Sequence, residues 1–163
     1  MAPPTEDQLT KVSTEAATNF VRTFYPALQS NRDSISSFYS ETPAKILFNG
    51  NTVADGKAVQ DIFTNQMPVS YYEVQSFDCQ IINRSYPTPT PTGPKQPDQR
   101  TVKDMSILVV VSGSVRYGDR DPAKPQRGFS ETFVLVPNAT GGDHGKGRRS
   151  EYLIEDQNFR LVV

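Results

Sequence analysis

The segment spanning residues 105–117 constrains the fold more strongly than any other part of this sequence. Its centre is an unbroken run of apolar, mostly β-branched residues, which favour β-strands over helices. Successive side chains of a strand point to opposite faces, so Ile107 and Val109 share one face while Leu108 and Val110 share the other. Because both faces are apolar, both require a cover. We expect helices to cover one face and a second polypeptide to cover the other.

The spacing of apolar residues predicts helices in the first part of the chain and strands in the second. Steps of three and four residues indicate a helix that begins near Thr5 and that Pro26 bends or ends. Shorter helices are expected at about 34–39 and 57–67. Between them, Asn49 and Gly50 separate two apolar runs, which is the pattern of a tight β-hairpin. Long strands are predicted at 72–83, 105–117, 129–136 and 151–163.

This order of elements predicts an α+β fold, in which three N-terminal helices pack on a curved, mostly antiparallel β-sheet and form a cone. The chain has 163 residues, a length typical of one domain, so residues 1–163 are expected to form a single domain. Residues 85–103 contain five prolines and are otherwise largely polar. That composition predicts a mobile, Pro-rich loop insertion outside the core.

Composition limits the classes of function. The chain has 17 basic and 18 acidic residues, a formal charge of -1, whereas a protein that binds nucleic acid through its overall charge is normally basic. Cys79 is the only cysteine, which excludes an internal disulfide and fits a reducing compartment. No apolar run approaches the ~20 residues needed to cross a bilayer, and the first residues lack the pattern of a signal peptide. A soluble, intracellular protein is therefore expected.

Alternation also assigns the side chains of the last two strands to faces. Phe133 is expected to lie under the helices, which places Thr132 on the opposite side. On the final strand Phe159 is expected to point inward, so that Asn158 and Arg160 point outward. The outward side would then combine an apolar centre with one arginine, which is the composition expected of a protein interface.

Several segments resemble one known family. The hairpin at 46–51 (ILFNGN) and the helix start at 55–57 (DGK) resemble the nuclear transport factor 2 superfamily. The segments 77–80 (FDCQ), 108–115 (LVVVSGSV), 128–133 (GFSETF) and 156–160 (DQNFR) are most similar to the small subunit of the general mRNA export receptor, called mRNA transport regulator in fungi. The similarity extends from about Val12 to Val163 apart from three loops. Phe48 stands where relatives often carry tryptophan.

The resemblance implies a non-catalytic adaptor without a cofactor. Such a subunit pairs sheet against sheet with the related domain of the large export receptor subunit. The heterodimer carries mRNA through the nuclear pore complex by touching phenylalanine-glycine repeats, and it shuttles between nucleus and cytoplasm. The resemblance also implies that the arginine of the final Phe-Arg pair reaches an acidic side chain of the partner, a charge-assisted contact. The residues expected to bind the partner are Arg160, Asn158, Leu108, Val110 and Thr132.

Two other functions stay open at this point. One is a homodimeric import carrier for Ran-GDP. Relatives with that role present acidic side chains on the loop that matches residues 116–128, whereas this loop is mainly basic, with Arg116, Arg120, Lys124 and Arg127 against Asp119 and Asp121. The other is a cone-pocket isomerase or dehydratase, which the absence of paired acids and of a well-placed histidine disfavours.

The candidate catalytic residues are few. His144 lies in a glycine-rich loop, whereas a catalytic base needs fixed geometry. Asp78 could be a general base if an apolar pocket raised its pKa. Strict alternation groups it with Val74 and Gln80 on a mixed face, which favours a structural or interface role. Cys79 has no histidine to activate it, and no cluster of cysteine and histidine could hold zinc. We therefore expect no catalytic residue and no metal.

Basic residues cluster in two loops and are candidate RNA contacts. Any such contact would be directed at phosphates and sensitive to salt. The competing interpretation is that these basic residues belong to solvated loops and contact no RNA. The candidates are Lys95, Arg100 and Lys103 in the Pro-rich insertion and Lys146, Arg148 and Arg149 in the loop before the last strand.

Overall fold

The computed structural model describes residues 2–118, 123–139 and 150–162. The helical part consists of α1 (Glu6–Ser30), a 3₁₀ helix (Arg32–Phe38) and α2 (Gly56–Asp61), which continues into a π-helical turn (Ile62–Gln66). The strands are β1 (Lys45–Phe48), β2 (Asn51–Val53), β3 (Ser70–Asn83), β4 (Pro89–Thr90), β5 (Gly93–Pro94), β6 (Ser106–Tyr117), β7 (Arg127–Pro137) and β8 (Tyr152–Val162). A short 3₁₀ helix (Pro97–Gln99) follows β5. The predicted α+β class is confirmed.

Helix α1 begins at a capping box and passes through a proline. The backbone N–H of Gln8 donates to the hydroxyl of Thr5 at 3.2 Å, and the Thr5 N–H donates to Oε1 of Gln8 at 2.9 Å. Pro26 does not end the helix, which continues to Ser30. A proline removes one backbone hydrogen bond of the helix, but the packing around it holds the last turns in place. The buried residues there are Phe24, Tyr25, Ala27 and Leu28.

The second and third helices are less regular than predicted. Arg32, at the start of the 3₁₀ helix, holds the end of the π-helical turn. Its guanidinium donates to the carbonyl oxygens of Phe63, Met67 and Pro68 at 2.5, 3.1 and 2.7 Å. It also lies 5.6 Å from the centre of the Phe63 ring, within the range of a cation–π contact. One arginine therefore ties the two short helices together.

Six strands form one sheet in the order β2-β1-β8-β7-β6-β3. All neighbours are antiparallel except β1 and β8, which are parallel. Asn49 and Gly50 have φ values of +50° and +85°, and positive φ at both central residues is what a two-residue hairpin turn requires. The predicted hairpin and the mostly antiparallel sheet are confirmed.

The core lies between the helices and one face of the sheet, which we call the inner face. Ile107, Val109 and Val111 on β6 are each 0% exposed. Phe133 on β7 packs edge-to-face against Phe24 of α1, with ring centres 5.3 Å apart. Ile107, Val109, Phe133 and Phe159, which alternation and the family resemblance assigned to the inner face, are therefore buried as expected.

Strand β3 departs from simple alternation. A β-bulge between Val74 and Ser76 inserts one residue and shifts the phase of the strand. Val74 lies opposite Gly113 on the inner face, whereas Asp78 lies opposite Val110 on the other side of the sheet. The sequence-based grouping of Asp78 with Val74 is therefore wrong.

The Pro-rich insertion is folded rather than mobile. Its backbone closes into the β4–β5 pair, and its polar groups converge on Asp104, which is 2% exposed. Thr88 and Thr101 donate to the Asp104 carboxylate, the latter through its backbone N–H at 2.7 Å. Lys95 forms an ion pair with it at 3.0 Å. Composition alone does not reveal this arrangement, because the buried acceptor lies after the Pro-rich stretch.

Candidate functional site

The side of the sheet opposite the helices, here called the outer face, is the candidate site. Residues directly opposite each other on neighbouring strands share a face, so the pairing register defines three rows across this surface. The rows are Gln80, Leu108, Val134, Asp156 and Lys45; Asp78, Val110, Thr132, Asn158 and Leu47; and Ser76, Ser112, Ser130 and Arg160.

The centre of the outer face is apolar and partly open to solvent. Val110 is 38% exposed, and its neighbours Leu108 and Val134 are only half-buried. The adjacent inner-face residues of the same strand, Val109 and Val111, are 0% exposed. The chain thus covers one side of β6 completely and leaves the apolar side chains of the other side without a full cover.

Arg160 provides a positive charge beside this apolar centre. Arg160 is exposed, and the residue opposite it on β7 is Ser130. The remaining members of the row, Ser112 and Ser76, are also hydroxyl residues. Within the described ranges, the Arg160 guanidinium makes no ion pair. An incoming carboxylate would therefore meet an uncompensated guanidinium flanked by hydroxyl groups.

A depression of about 220 Å³ lies at the β1–β8 side of the outer face. The Oδ1 atom of Asn158 is buried at this place and accepts no hydrogen bond from the described part of the chain. Most buried polar atoms in proteins have a partner, so this oxygen is unusual. The residues that line the depression are Lys45, Leu47, Thr132, Val134, Asp156, Gln157 and Asn158.

The structure brings together the five residues predicted to bind the partner. Leu108, Val110, Thr132, Asn158 and Arg160 all lie on the outer face, in adjacent rows of β6, β7 and β8. Three of them, Val110, Thr132 and Asn158, form one continuous row. Their role in binding stays a prediction. Sequence reasoning did not include Leu47, because only the parallel pairing of β1 with β8 places it beside Asn158.

Glu131 is the titratable residue that sequence reasoning missed. Alternation from Phe129 and Phe133 assigns it to the inner face, and the structure buries it there with 1% exposed. Tyr25 donates its hydroxyl to Oε1 at 2.8 Å, and Gln157 donates its amide to Oε2 at 2.7 Å. Burial raises the pKa of Glu131 to about 7, although the two hydrogen bonds act in the opposite direction.

The contacts of Glu131 indicate a structural role inside the core. The hydroxyl of Tyr39 donates to Oε1 of Gln157 and adds a fourth side chain to the network of Glu131, Tyr25 and Gln157. Burial raises the pKa of Tyr25 and of Tyr39 well above the usual range, so both hydroxyls stay protonated and able to donate. Both carboxylate oxygens of Glu131 are thus occupied, and the side chain has almost no surface that a substrate could reach.

The contacts of the other candidate catalytic residues do not form a catalytic arrangement within the described residues. Asp78 is exposed, and its carboxylate accepts the N–H of Cys79 at 2.8 Å on the edge strand. Cys79 is half-buried and packs against the core, as expected of a small apolar residue. His144 lies outside the described residues. Within the described residues there is no group of three or more His, Cys, Asp and Glu residues that could hold a metal ion.

The described basic residues of the insertion each have a partner within the chain. Lys95 pairs with Asp104, and Lys103 pairs with Glu151 at 3.0 Å. Arg100 donates to the carbonyl oxygens of Lys95 and Ser85. Lys146, Arg148 and Arg149 lie outside the described residues, as do Asp119, Arg120 and Asp121 of the β6–β7 loop. RNA contact by these loops stays a prediction.

No helix in the described ranges has both the length and the apolar character needed to span a membrane.

Comparison with known proteins identifies the family. The model of the Nuclear transport factor 2 (NTF2) domain matches residues 16–160. NTF2-related export protein 1 of Schizosaccharomyces pombe is 30% identical over 110 residues, which are 68% of this chain and 77% of that protein. NTF2-related export protein 2 of Homo sapiens is 26% identical over 125 residues, which are 77% of this chain and 74% of that protein.

Solved structures share the fold. One chain of the structure of the Chaetomium thermophilum Mex67 NTF2-like domain complexed with Mtr2 superimposes with a TM-score of 0.74 and 24% identity, over 93% of this chain and 99% of that chain. Nuclear transport factor 2 from Cryptosporidium parvum superimposes with a TM-score of 0.61 and 19% identity, over 91% of this chain and 94% of that chain. The match of the family model to nearly the whole sequence, together with this fold, shows that the chain belongs to the nuclear transport factor 2 (NTF2) domain family.

Proposed function

We propose that this chain is the small subunit of an mRNA export heterodimer, and that its outer face binds the NTF2-like domain of the large subunit. Two relatives that bear the name of export proteins support the assignment to export. The fold similarity to a Mex67 NTF2-like domain complexed with Mtr2 supports a pairing between two domains of this kind.

The observation that carries the proposal is the incomplete cover of Val110. This side chain lies on β6, an internal strand of the six-stranded sheet, between Asp78 on the edge strand β3 and Thr132 on β7, and is still 38% exposed. Its neighbours Leu108 and Val134 extend the apolar area along the same face. A facing sheet would remove this surface from water, which is favourable by roughly 25 cal/mol per Å² of apolar area. The binding residues of the proposal are Arg160, Asn158, Leu108, Val110 and Thr132.

The proposed role is non-catalytic. An enzyme of this fold would need a reactive group at the bottom of the cone that a substrate can reach. Glu131 occupies the inner face, but its two oxygens are engaged by Tyr25 and Gln157 and its side chain is 1% exposed. This arrangement supports a structural role for Glu131, and the names of the relatives support transport rather than catalysis.

We place the site of action at the nuclear pore complex, with shuttling between nucleus and cytoplasm. The heterodimer would contact phenylalanine-glycine repeats there. A fluorescent fusion of this chain is expected at the nuclear rim. Because the location depends on the partner, a Val110→Lys fusion should lose it, and a fusion that keeps the rim signal would contradict partner-dependent targeting.

Co-expression with the NTF2-like domain of the large export subunit from the same organism tests the binding role. The wild-type chain should co-purify with that domain in equal amounts. Val110→Lys should abolish co-purification, because it places a charge at the apolar centre of the interface. Thr14→Lys is the matched control, since Thr14 is exposed on α1, and the helices lie on the opposite side of the sheet from the outer face. A wild-type chain that forms a homodimer and ignores the large subunit would instead support an import carrier.

RNA contact by the basic loops is a separate part of the proposal. Lys95 and Lys103 are held in ion pairs, so phosphate binding would have to compete with Asp104 and Glu151. Filter binding of the purified heterodimer to single-stranded RNA at several salt concentrations tests it. Binding that falls steeply with salt and weakens in a Lys103→Glu variant supports the contact. Binding that the variant leaves unchanged removes this loop from the RNA site.

A further inference from the structure

We propose that the depression beside β1 and β8 receives one aromatic side chain of the facing sheet, a tyrosine or tryptophan whose O–H or N–H donates to Asn158. The inference rests on the proposed function, since the donor belongs to the large subunit. It names the chemistry that the partner places beside the apolar centre of the outer face.

The unpaired oxygen of Asn158 indicates a missing donor. Its Oδ1 atom is buried and accepts no hydrogen bond from residues of the described ranges. A buried acceptor without a partner is costly, and such atoms are rare in native proteins. Asn158 as a residue is only half-buried, so a rotation of its amide group, a kind of side-chain change that is common at interfaces, would bring the shielded oxygen within reach of a partner. The donor is therefore expected to come from that partner.

The walls of the depression select an apolar body. Leu47 and Thr132 flank Asn158 in the same row. Val134 lies in the adjacent row, two residues after Thr132 on β7. The volume of about 220 Å³ is several times the ~30 Å³ that a water molecule occupies in the liquid. It has room for a ring. Tyrosine and tryptophan combine a large apolar body with a polar tip that needs a partner when buried.

The charges at the rim favour a neutral donor. Lys45 and Asp156 lie opposite each other across the β1–β8 pair, and both line the depression. Their opposite charges offset one another at its edge, so a lysine or arginine from the partner would gain little net attraction. An aromatic O–H or N–H is uncharged, so its binding does not depend on a net charge at the rim.

The depression is continuous with the apolar centre of the outer face. Thr132 lies opposite both Val110 and Asn158, so a single row leads from the exposed valine to the unpaired oxygen. An aromatic side chain seated in the depression would extend the contact made at Val110. Buried aromatic anchors near the centre of an interface commonly contribute much of its binding free energy.

Asn158→Leu tests the hydrogen bond, because leucine keeps a similar volume and removes the acceptor. The affinity of the purified chain for the large-subunit NTF2-like domain should fall about fivefold, the value of one hydrogen bond. The melting temperature of the chain alone should rise, because an unpaired buried oxygen has been removed. A lower affinity together with a higher melting temperature would show that Asn158 acts in binding the partner and not in stabilising the fold. An unchanged affinity, or a fall in affinity together with a fall in melting temperature, would overturn the inference.

Val134→Phe tests the depression by filling it from the chain's own side. The affinity is expected to fall at least tenfold, while Thr14→Phe, which adds a ring on the exposed side of α1 and away from the outer face, should leave it within twofold of wild type. Wild-type binding with no effect of Val134→Phe would sink this inference alone. If the wild-type chain does not bind the large-subunit domain at all, the proposed function itself fails.

Discussion

The hydroxyl of Tyr25 donates to Oε1 of Glu131 at 2.8 Å, and this buried bond joins the first helix to a central strand of the sheet. The second carboxylate oxygen is engaged by Gln157 on the neighbouring strand. One polar centre thus connects α1, β7 and β8 inside an otherwise apolar core. The same strand β8 presents Asn158 and Arg160 on the outer face, so the network fixes the strand from which the proposed partner contacts extend.

The titration of Glu131 predicts that stability falls as pH rises. Burial raises its pKa to about 7 in the folded chain, from 4.5 for the free group. Between these values the folded chain binds more protons than the unfolded chain, so the free energy of unfolding decreases with pH. The decrease should approach roughly 3 kcal/mol above pH 7. Urea unfolding at pH 5 and pH 8 measures it.

The variant Glu131→Gln should flatten this dependence and be more stable than wild type at pH 8. Glu41→Gln is the matched control, because Glu41 is exposed. A wild-type chain whose unfolding free energy does not change between the two pH values would contradict the raised pKa of Glu131. An equal pH dependence of wild type and Glu131→Gln would show that another group is its source.

The Asp104 cluster predicts that the Pro-rich insertion contributes to stability. Burial opposes ionisation of Asp104, but hydrogen bonds from Thr88, Thr101 and Lys95 outweigh it and hold the pKa of Asp104 below its usual value. Asp104→Asn should lower the free energy of unfolding by about 2 kcal/mol, the scale of hydrogen bonds to a buried charge. Thermal unfolding at pH 7 measures the loss.

The exposed Asp98 of the same insertion provides the control, and Asp98→Asn should change stability little. Because the pKa of Asp104 is lowered, its stabilisation is present above pH 4 and is lost as pH falls through the folded-state pKa. A loss of stability no larger than that of the control would mean that the insertion does not depend on this carboxylate.

The row of hydroxyl residues beside Arg160 predicts a strong effect of charge reversal. Arg160→Asp should abolish co-purification with the large-subunit NTF2-like domain, because it would leave an acidic partner residue buried without a counter-charge, at a cost of about 2–5 kcal/mol. Circular dichroism should stay close to wild type, since the side chain is exposed. Arg22→Asp, on the exposed side of α1, is the control. Unchanged pull-down by Arg160→Asp would remove this residue from the interface.

Much of the fold follows from the sequence because β6 and β7 alternate regularly, and β8 does so from Asp156 onward, after the irregularity beside Val134. Alternation alone therefore assigns Thr132 and Arg160 to the outer face. On β6, which is apolar on both faces, the family resemblance was needed to assign Leu108 and Val110 to that face. The edge strand β3 could not be assigned in the same way, because the bulge at Val74 reverses its phase and period-two patterns carry no signal for a bulge.

The remaining features depend on contacts between distant segments. Glu131 could be assigned to the inner face by alternation, but its donors come from α1 and β8. The depression exists because β1 pairs in parallel with β8 and brings Leu47 beside Asn158. The order of the insertion depends on Asp104, whose burial is set by the fold rather than by the composition of residues 85–103.

The hydrogen bonds of Arg32 lead to the last prediction, which concerns the helices. This guanidinium donates to three carbonyl oxygens at the end of the π-helical turn, and also to the hydroxyl of Ser70 at the start of β3. Lysine keeps the charge but lacks the planar fork that reaches several acceptors at once. Arg32→Lys is therefore expected to lower the free energy of unfolding by about 2 kcal/mol. It should also increase hydrogen exchange at the Met67 amide, which donates to Ile62. Arg22→Lys on the exposed side of α1 is the control, and equal stability of the two variants would show that the fork of Arg32 is dispensable.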